Sequence, residues 1–199
     1  MILCLDLETT GLDEHRCGIL EIGACWLHSG EAFFRECRPL VNCRVEDEAL
    51  KVNGWTHDRM SDRNLLPEEH AIAEFLGWVR GAAASVNRVQ LAAWNAHFDH
   101  RHLCAGMERA GYEGAHRPFL HRLLDVHSIL AADTIRAGLT HPVMNADQLV
   151  NFGGEIPNAD AASERLHLPP EPKPHNALAG AKQVRAMLRR LLGDAGALP

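Results

Sequence analysis

Asp6 and Glu8 stand two residues apart in the opening stretch MILCLDLETTGLD, which is otherwise typical of a strand buried inside a sheet. Residues i and i+2 of a strand point to the same face, so the two carboxylates are predicted to lie side by side. Like charges at that distance repel unless a cation lies between them, and hard divalent ions such as Mg²⁺ or Mn²⁺ prefer carboxylate oxygens. The alternative is an exposed strand end with two ordinary acids, because the Asp-x-Glu pattern alone is a weak signal.

A third acid and a histidine are predicted to reach the same edge of the sheet. Asp99 lies at the start of a predicted helix that follows the strand VQLAAWN (89–95), and His175 follows a proline-rich loop and begins the last predicted helix. This set of groups suits metal-assisted hydrolysis, in which two ions about 3.5–4 Å apart hold the attacking and leaving oxygens while a histidine takes a proton from water.

Other residues make weaker candidates. The histidines near Asp99 spread around the predicted helix, which does not favour a zinc site: His97, His100 and His102. Asp125 ends a predicted strand and is a candidate substitute acid, although a helix cap is the more frequent role of such a residue. Trp55 is the tryptophan to test for stacking on a nucleic-acid base.

The predicted elements place these residues in an α/β domain with a mixed sheet. Five strands are predicted, with a hairpin at Ser29-Gly30: 2–7, 18–28, 32–40, 89–95 and 119–126. Five helices are predicted. The first begins at Pro67 and is ended by Gly81, and the others lie over 97–111, from Ser128, near Ala161–Leu166, and from His175 to Leu192. Residues 141–174 are the least regular part and form a proline-rich elaboration.

Composition limits the classes of protein that the chain can belong to. With 199 residues, 46% of them hydrophobic, it suits one domain spanning 1–199. It contains no 18-residue apolar run and no pattern of a secretory signal, so no membrane is expected. Its six cysteines form no CxxC pair, which favours reduced thiols in the cytoplasm. The net charge of −6 excludes a broad basic surface, so a nucleic acid would be held locally and through metal ions.

Five motifs occur in order along nearly the whole chain: LDLETTGL, ILEIGA, EALKVNGW, WNAHFDHRHL and PHNALAGA. They resemble the motifs of the DnaQ-like 3′–5′ exonucleases, the histidine-containing branch of the DEDD superfamily. The resemblance implies a ribonuclease H-like fold with a mixed five-stranded sheet flanked by helices. It also implies removal of nucleotides from single-stranded 3′ ends, of DNA or RNA, by a mechanism that uses two Mg²⁺ or Mn²⁺ ions.

The resemblance further implies roles for single residues. Asp6, Glu8 and Asp99 would hold the ions, and His175 would act as the general base. Six residues would contact the terminal nucleotide: Thr9, Thr10, Gly11, Leu12, Glu48 and Asn53.

Gly180 departs from the family pattern, which places an aspartate five positions after the histidine. The loss removes one metal ligand and one negative charge, so one of the two ions is expected to bind weakly. Two alternative functions follow: a catalytically weakened module that binds 3′ ends, and a proofreading subunit of a polymerase. The sequence ends soon after the last predicted helix, which favours a free-standing protein over a subunit.

Overall fold

The computed structural model describes residues 1–83, 88–112, 118–139 and 158–193, and within them six strands form one mixed sheet. The strands are β1 (Ile2–Thr9), β2 (Ile19–Trp26), β3 (Ala32–Arg38), β4 (Leu66–Pro67), β5 (Gln90–Ala93) and β6 (Leu124–Asp125). Their order across the sheet is β4-β3-β2-β1-β5-β6. The first three strands form an antiparallel meander, whereas β5 lies parallel to β1, and β6 lies parallel to β5.

The α/β class and the meander are confirmed, but the predicted number of five strands is wrong. The strand that was not predicted is β4, which has only two residues. Its Leu66 pairs with Cys37 of β3. So short a strand has no period that a sequence pattern could reveal. The strand predicted over 119–126 is also shorter than expected, because only β6 and an isolated bridge between Val89 and Phe119 form there.

Seven helices are seen in the same described residues, namely α1 (Asp47–Asn53), α2 (His57–Met60), α3 (Glu68–Ala82), α4 (Ala96–Arg109), α5 (Val126–Leu139), α6 (Ala159–Arg165) and α7 (Ala177–Leu191). The predicted start and end of α3 are each off by a residue or two. Pro67 occupies the N-cap position, one residue before the helix begins, and Gly81 lies within the last turn instead of after it. Much of the predicted irregular region, 141–157, lies outside the described residues, while α6 forms where a helix is predicted. No helix of the described part is long and apolar enough to span a membrane.

The sheet has a separate apolar core on each face. Alternate residues of β1, among them Leu3, Leu5 and Leu7, pack with α3 and α4, and burial of each such leucine contributes roughly 1.5–3 kcal/mol. The other face of β1 begins with Cys4 and packs with α5, α6 and α7. Asp6 and Glu8 continue the face of Cys4 with a period of two, so the two carboxylates lie under the start of α7.

Candidate active site

Strand pairing places a second row of residues directly beside Asp6 and Glu8. In the antiparallel register of β1 and β2, Asp6 lies opposite Gly23 and Glu8 lies opposite Glu21. A Cβ atom at Gly23 would come within 2.0 Å of the backbone of Ala177, the first residue of α7. Glycine at this position therefore lets the start of α7 rest on the sheet next to the two acids.

Asp99 reaches the same place from the other side of β1. Its carboxylate oxygen Oδ1 accepts a hydrogen bond of 3.0 Å from the backbone N–H of Leu7, which lies between Asp6 and Glu8 in sequence. The position follows from the topology, because β5 runs parallel to β1 and delivers the first turn of α4 to the end of β1 where the acids stand. The structure thus brings the three predicted carboxylates together at one edge of the sheet.

Burial raises the pKa of each of these acids, and repulsion from nearby carboxylates, which for Asp99 is that of Asp125, raises it further. The pKa of Asp6 lies well above its ordinary value, first because of desolvation and then because of Asp99 and Glu8. Desolvation, followed by the charges of Glu21 and Glu171, raises the pKa of Glu8 to about 8. Desolvation likewise raises the pKa of Asp99 to about 7, against the lowering effect of its backbone hydrogen bonds. Negative charge at this site therefore needs a cation to be stable near neutral pH.

Glu21 fixes the beginning of α7 over the acids. Its Oε2 accepts hydrogen bonds from the Asn176 side-chain amide (2.9 Å) and from the Ala177 backbone N–H (3.0 Å). Its Oε1 accepts a bond of 2.7 Å from the indole N–H of Trp55. Sequence reasoning did not identify this acid, although its place opposite Glu8 in the hairpin register is a signal that could have found it.

His175 lies at the rim of the site, immediately before α7. Its backbone N–H donates a hydrogen bond of 3.2 Å to the carbonyl of Val52, and its Nδ1 atom lies 3.6 Å from Oε2 of Glu171. The side chain is 35% exposed, so its imidazole is open to solvent and to a substrate. This placement suits the predicted exchange of a proton with water.

The residues predicted to contact a nucleotide fall into two groups. Thr10 is fully buried, and its hydroxyl donates to the carbonyl of Arg44 and accepts from the N–H of Gly18, so this side chain holds the loop together instead of facing a ligand. Thr9 is also buried, and its hydroxyl donates to the carbonyl of Gly11.

The second group lies at the open side of the same loop. Leu12 is 71% exposed, and Glu48 is exposed in the first turn of α1. The amide of Asn53 donates to the carbonyl of Thr9 and also hydrogen-bonds Glu8, whose pKa it lowers. These three side chains can be reached from the rim of the site, or contact its acids directly.

Trp55 and Asp125 have structural roles. The hypothesis that Trp55 stacks on a base is wrong, because the side chain is 2% exposed, bonds Glu21, and has the guanidinium carbon of Arg59 4.0 Å from its ring centroid. Asp125 accepts hydrogen bonds from the backbone N–H groups of Ala96 and Ser128. It therefore caps the starts of two helices and does not substitute for the missing acid.

Oxygen donors of the right chemical type for Mg²⁺ or Mn²⁺ are present, but the carboxylates do not converge on one metal-binding position. Within the described ranges, no group of three or more His, Cys, Asp or Glu side chains stands close enough together to hold a metal ion as it is. Repelling carboxylates must draw together around a cation by turning their side chains. The buried and unpartnered Oε1 atom of Glu171 is a further oxygen donor beside them, so the residues fit such an ion in chemistry.

The space next to Gly180 is taken by Asp6. A Cβ atom at Gly180 would lie 2.4 Å from Oδ2 and 2.6 Å from Cγ of Asp6. Any other residue at this position would therefore push the carboxylate of Asp6 aside. This contact explains a glycine inside α7, where it otherwise costs roughly 1 kcal/mol relative to alanine.

Comparison with known proteins points to one family. Residues 1–192 match the model of the 3′–5′ exoribonuclease Rv2179c-like domain. Ribonuclease T of Escherichia coli K12 and of Shigella flexneri are each 32% identical over 116 residues, which cover 53% of this chain and 54% of the relative. The chain thus spans about half the length of the curated relatives it matches.

Solved structures share the fold at low sequence identity. The nuclease domain of 3′hExo, a DEDDh family member bound to rAMP, has a TM-score of 0.69 at 17% identity and covers 98% of this chain and 92% of that one. Escherichia coli Exonuclease I in complex with a 5cy-dT13 oligonucleotide has a TM-score of 0.69 at 17% identity, covering 98% of this chain and 40% of the other. Both agree with the predicted ribonuclease H-like fold.

Proposed function

The chain belongs to the DnaQ-like 3′–5′ exonuclease family through its Rv2179c-like exoribonuclease domain, and from this premise we propose that it removes nucleotides from single-stranded 3′ ends. One observation carries the proposal: three carboxylates meet at one sheet edge, with an accessible histidine at the rim. RNA is the first substrate to test, because the matching family model describes an exoribonuclease.

Each residue of the site has a part in the proposed hydrolysis. Asp6, Glu8 and Asp99 would hold Mg²⁺ or Mn²⁺, which supplies positive charge to the scissile phosphate and lowers the pKa of water. His175 accepts the proton of the attacking water as the water oxygen bonds to phosphorus, and the bond to the 3′ oxygen of the preceding nucleotide breaks, with that oxygen taking a proton from solvent. The exposed side chains of Leu12 and Glu48 would contact the terminal nucleotide, and the buried Asn53 would hold Glu8.

A module that binds 3′ ends without cutting them is the second candidate. It is favoured by the glycine at position 180, where the family pattern has an acid. All six cysteines are free, which agrees with a reducing cytoplasm as the place of action for either function.

Digestion of 5′-labelled single-stranded RNA and DNA, each with Mn²⁺, Mg²⁺ or EDTA, tests the proposed function. We expect stepwise shortening from the 3′ end with either metal and none with EDTA. Circular RNA and circular DNA, which have no ends, are the matched controls and should stay intact. Retarded migration of linear RNA without any shortening would favour the binding module, and cutting of the circles would refute exonuclease action.

The stability of the metal-free protein should fall as the pH rises, whereas the stabilisation by a bound metal ion should increase. Folding raises the pKa of Glu8 from 4.5 to about 8 and of Asp99 from 3.8 to about 7, so the folded protein keeps protons that the unfolded chain releases. The metal-free protein should therefore become less stable as pH rises from about 5 to 8. A cation binds the ionised carboxylates, so Mn²⁺ should raise the melting temperature more at pH 8 than at pH 5. Thermal melts at both values, with and without Mn²⁺, measure this; an equal shift at the two values would contradict it.

A further inference from the structure

Glu171 has a buried carboxylate oxygen without a partner. It lies in the segment PPEPKPH that leads to α7, and its side chain is only 9% exposed. Its Oε1 is sealed from solvent and has no hydrogen-bond partner. An unsatisfied buried polar atom costs roughly 1–3 kcal/mol, and more when it carries charge, so this placement needs an explanation.

Glu171 contacts His175 at the rim of the candidate site, and its charge acts on two of the three acids, Asp6 and Glu8. Its Oε2 lies 3.6 Å from Nδ1 of His175, and the residues that follow, Asn176 and Ala177, are bonded to Glu21 opposite Glu8. The charge of Glu171 acts on both Asp6 and Glu8, and on Asp6 it acts more strongly than the charge of Glu21 does. One of its oxygens thus contacts the histidine, while the other is buried without a hydrogen-bond partner.

We propose that Glu171 supplies the fourth carboxylate of the divalent-metal site, in place of the aspartate that the family pattern puts at the position of Gly180. The proposal rests on the proposed function, since it concerns the same ions. Gly180 cannot carry the acid without displacing Asp6, whereas Glu171 approaches from the neighbouring loop and leaves Asp6 in place. A cation next to Oε1 would satisfy the unpartnered oxygen and offset the repulsion among the acids.

Glu171 differs from three other acids of the described residues in having one buried oxygen without a partner, while its second oxygen contacts His175. Glu21 already accepts three hydrogen bonds, and Asp125 caps two helices. Asp160 is paired with Lys173 at 2.8 Å on the surface. Among these four acids, Glu171 is the one whose charge acts on Asp6 and which also has a buried oxygen with no partner.

Titration of Mn²⁺ into the full-length protein without nucleic acid, followed by calorimetry and by the EPR signal of free Mn²⁺, tests the proposal. Glu171→Gln keeps the size of the side chain and removes its charge, so we expect Mn²⁺ affinity to fall at least about tenfold or one bound ion to be lost. Glu164→Gln, an exposed change on α6, is the matched control and should bind like the unaltered protein. Asp99→Asn removes a proposed metal ligand and shows how large the loss of Mn²⁺ affinity should be.

Each outcome decides the assignment of Glu171. Mn²⁺ binding by Glu171→Gln at unaltered affinity and number of ions would overturn it, and a change confined to the pH profile of cleavage would make Glu171 a positioning residue for His175. Circular dichroism and thermal melts should show Glu171→Gln folded and at least as stable without metal, because a buried charge is removed. If the unaltered protein cuts neither RNA nor DNA but Glu171→Gln weakens Mn²⁺ binding, the proposed function fails and the assignment of Glu171 stands.

Discussion

Asp6→Asn should abolish cleavage of single strands while making the metal-free protein more stable. The change removes the carboxylate that stands between Glu8, Asp99 and the start of α7. We expect the cleavage rate to fall at least about 1000-fold, which corresponds to roughly 4 kcal/mol of lost transition-state stabilisation. Stability should rise at pH 8, because ionisation of Asp6 no longer opposes folding there.

A loss of cleavage together with a gain in stability distinguishes damage to the active site from loss of the folded structure. Rates of shortening of labelled RNA and the free energy of unfolding in urea should be measured on the same preparation. Asp47→Asn is the matched control, since Asp47 is exposed on α1 and pairs only loosely with His57 at 3.8 Å. Asp6→Asn protein that still shortens RNA at a comparable rate would place the hydrolytic site elsewhere in the chain.

Sequence patterns predicted those parts of the fold whose residues repeat with a strong period. The strands β1, β2 and β3 are continuous apolar runs or a hairpin with a clear turn, and their positions agree with the prediction. The two-residue strand β4 depends on its neighbour for pairing and leaves no pattern of its own, and β6 is shorter than the strand predicted over 119–126. Helix α1, which brings Asn53 beside Glu8, is seven residues long and was likewise not predicted.

In the candidate site, too, the sequence placed residues of regular elements but did not place residues that depend on tertiary contacts. Asp6 and Glu8 could be placed on one face because a strand has a period of two, and Asp99 could be placed because parallel strands end at a common edge. Glu21 joins them through the register of β2 against β1, which pairing of the two predicted strands could have shown, whereas Glu171 joins them through the path of a loop, which no local pattern encodes. The meaning of Gly180 also depends on contact, since the carboxylate of Asp6 fills the space beside it.

His175→Ala should slow cleavage strongly and leave metal binding nearly intact. The imidazole is exposed at the rim and contacts Glu171, whereas Asp6, Glu8 and Asp99 are held by other elements. Loss of a general base lowers a rate by about 100- to 10,000-fold, and we expect kcat to fall within that range. The affinity for Mn²⁺ should change by less than about threefold, because no carboxylate is removed.

Single-turnover rates on labelled RNA between pH 5 and 9, together with Mn²⁺ titration, distinguish a proton acceptor from a merely structural histidine. Without the imidazole, the pH profile of the rate should change, and added imidazole should restore part of the activity. His70→Ala, an exposed histidine on α3, is the matched control and should leave rate and pH profile unchanged. An unaltered kcat in His175→Ala would exclude it as the base.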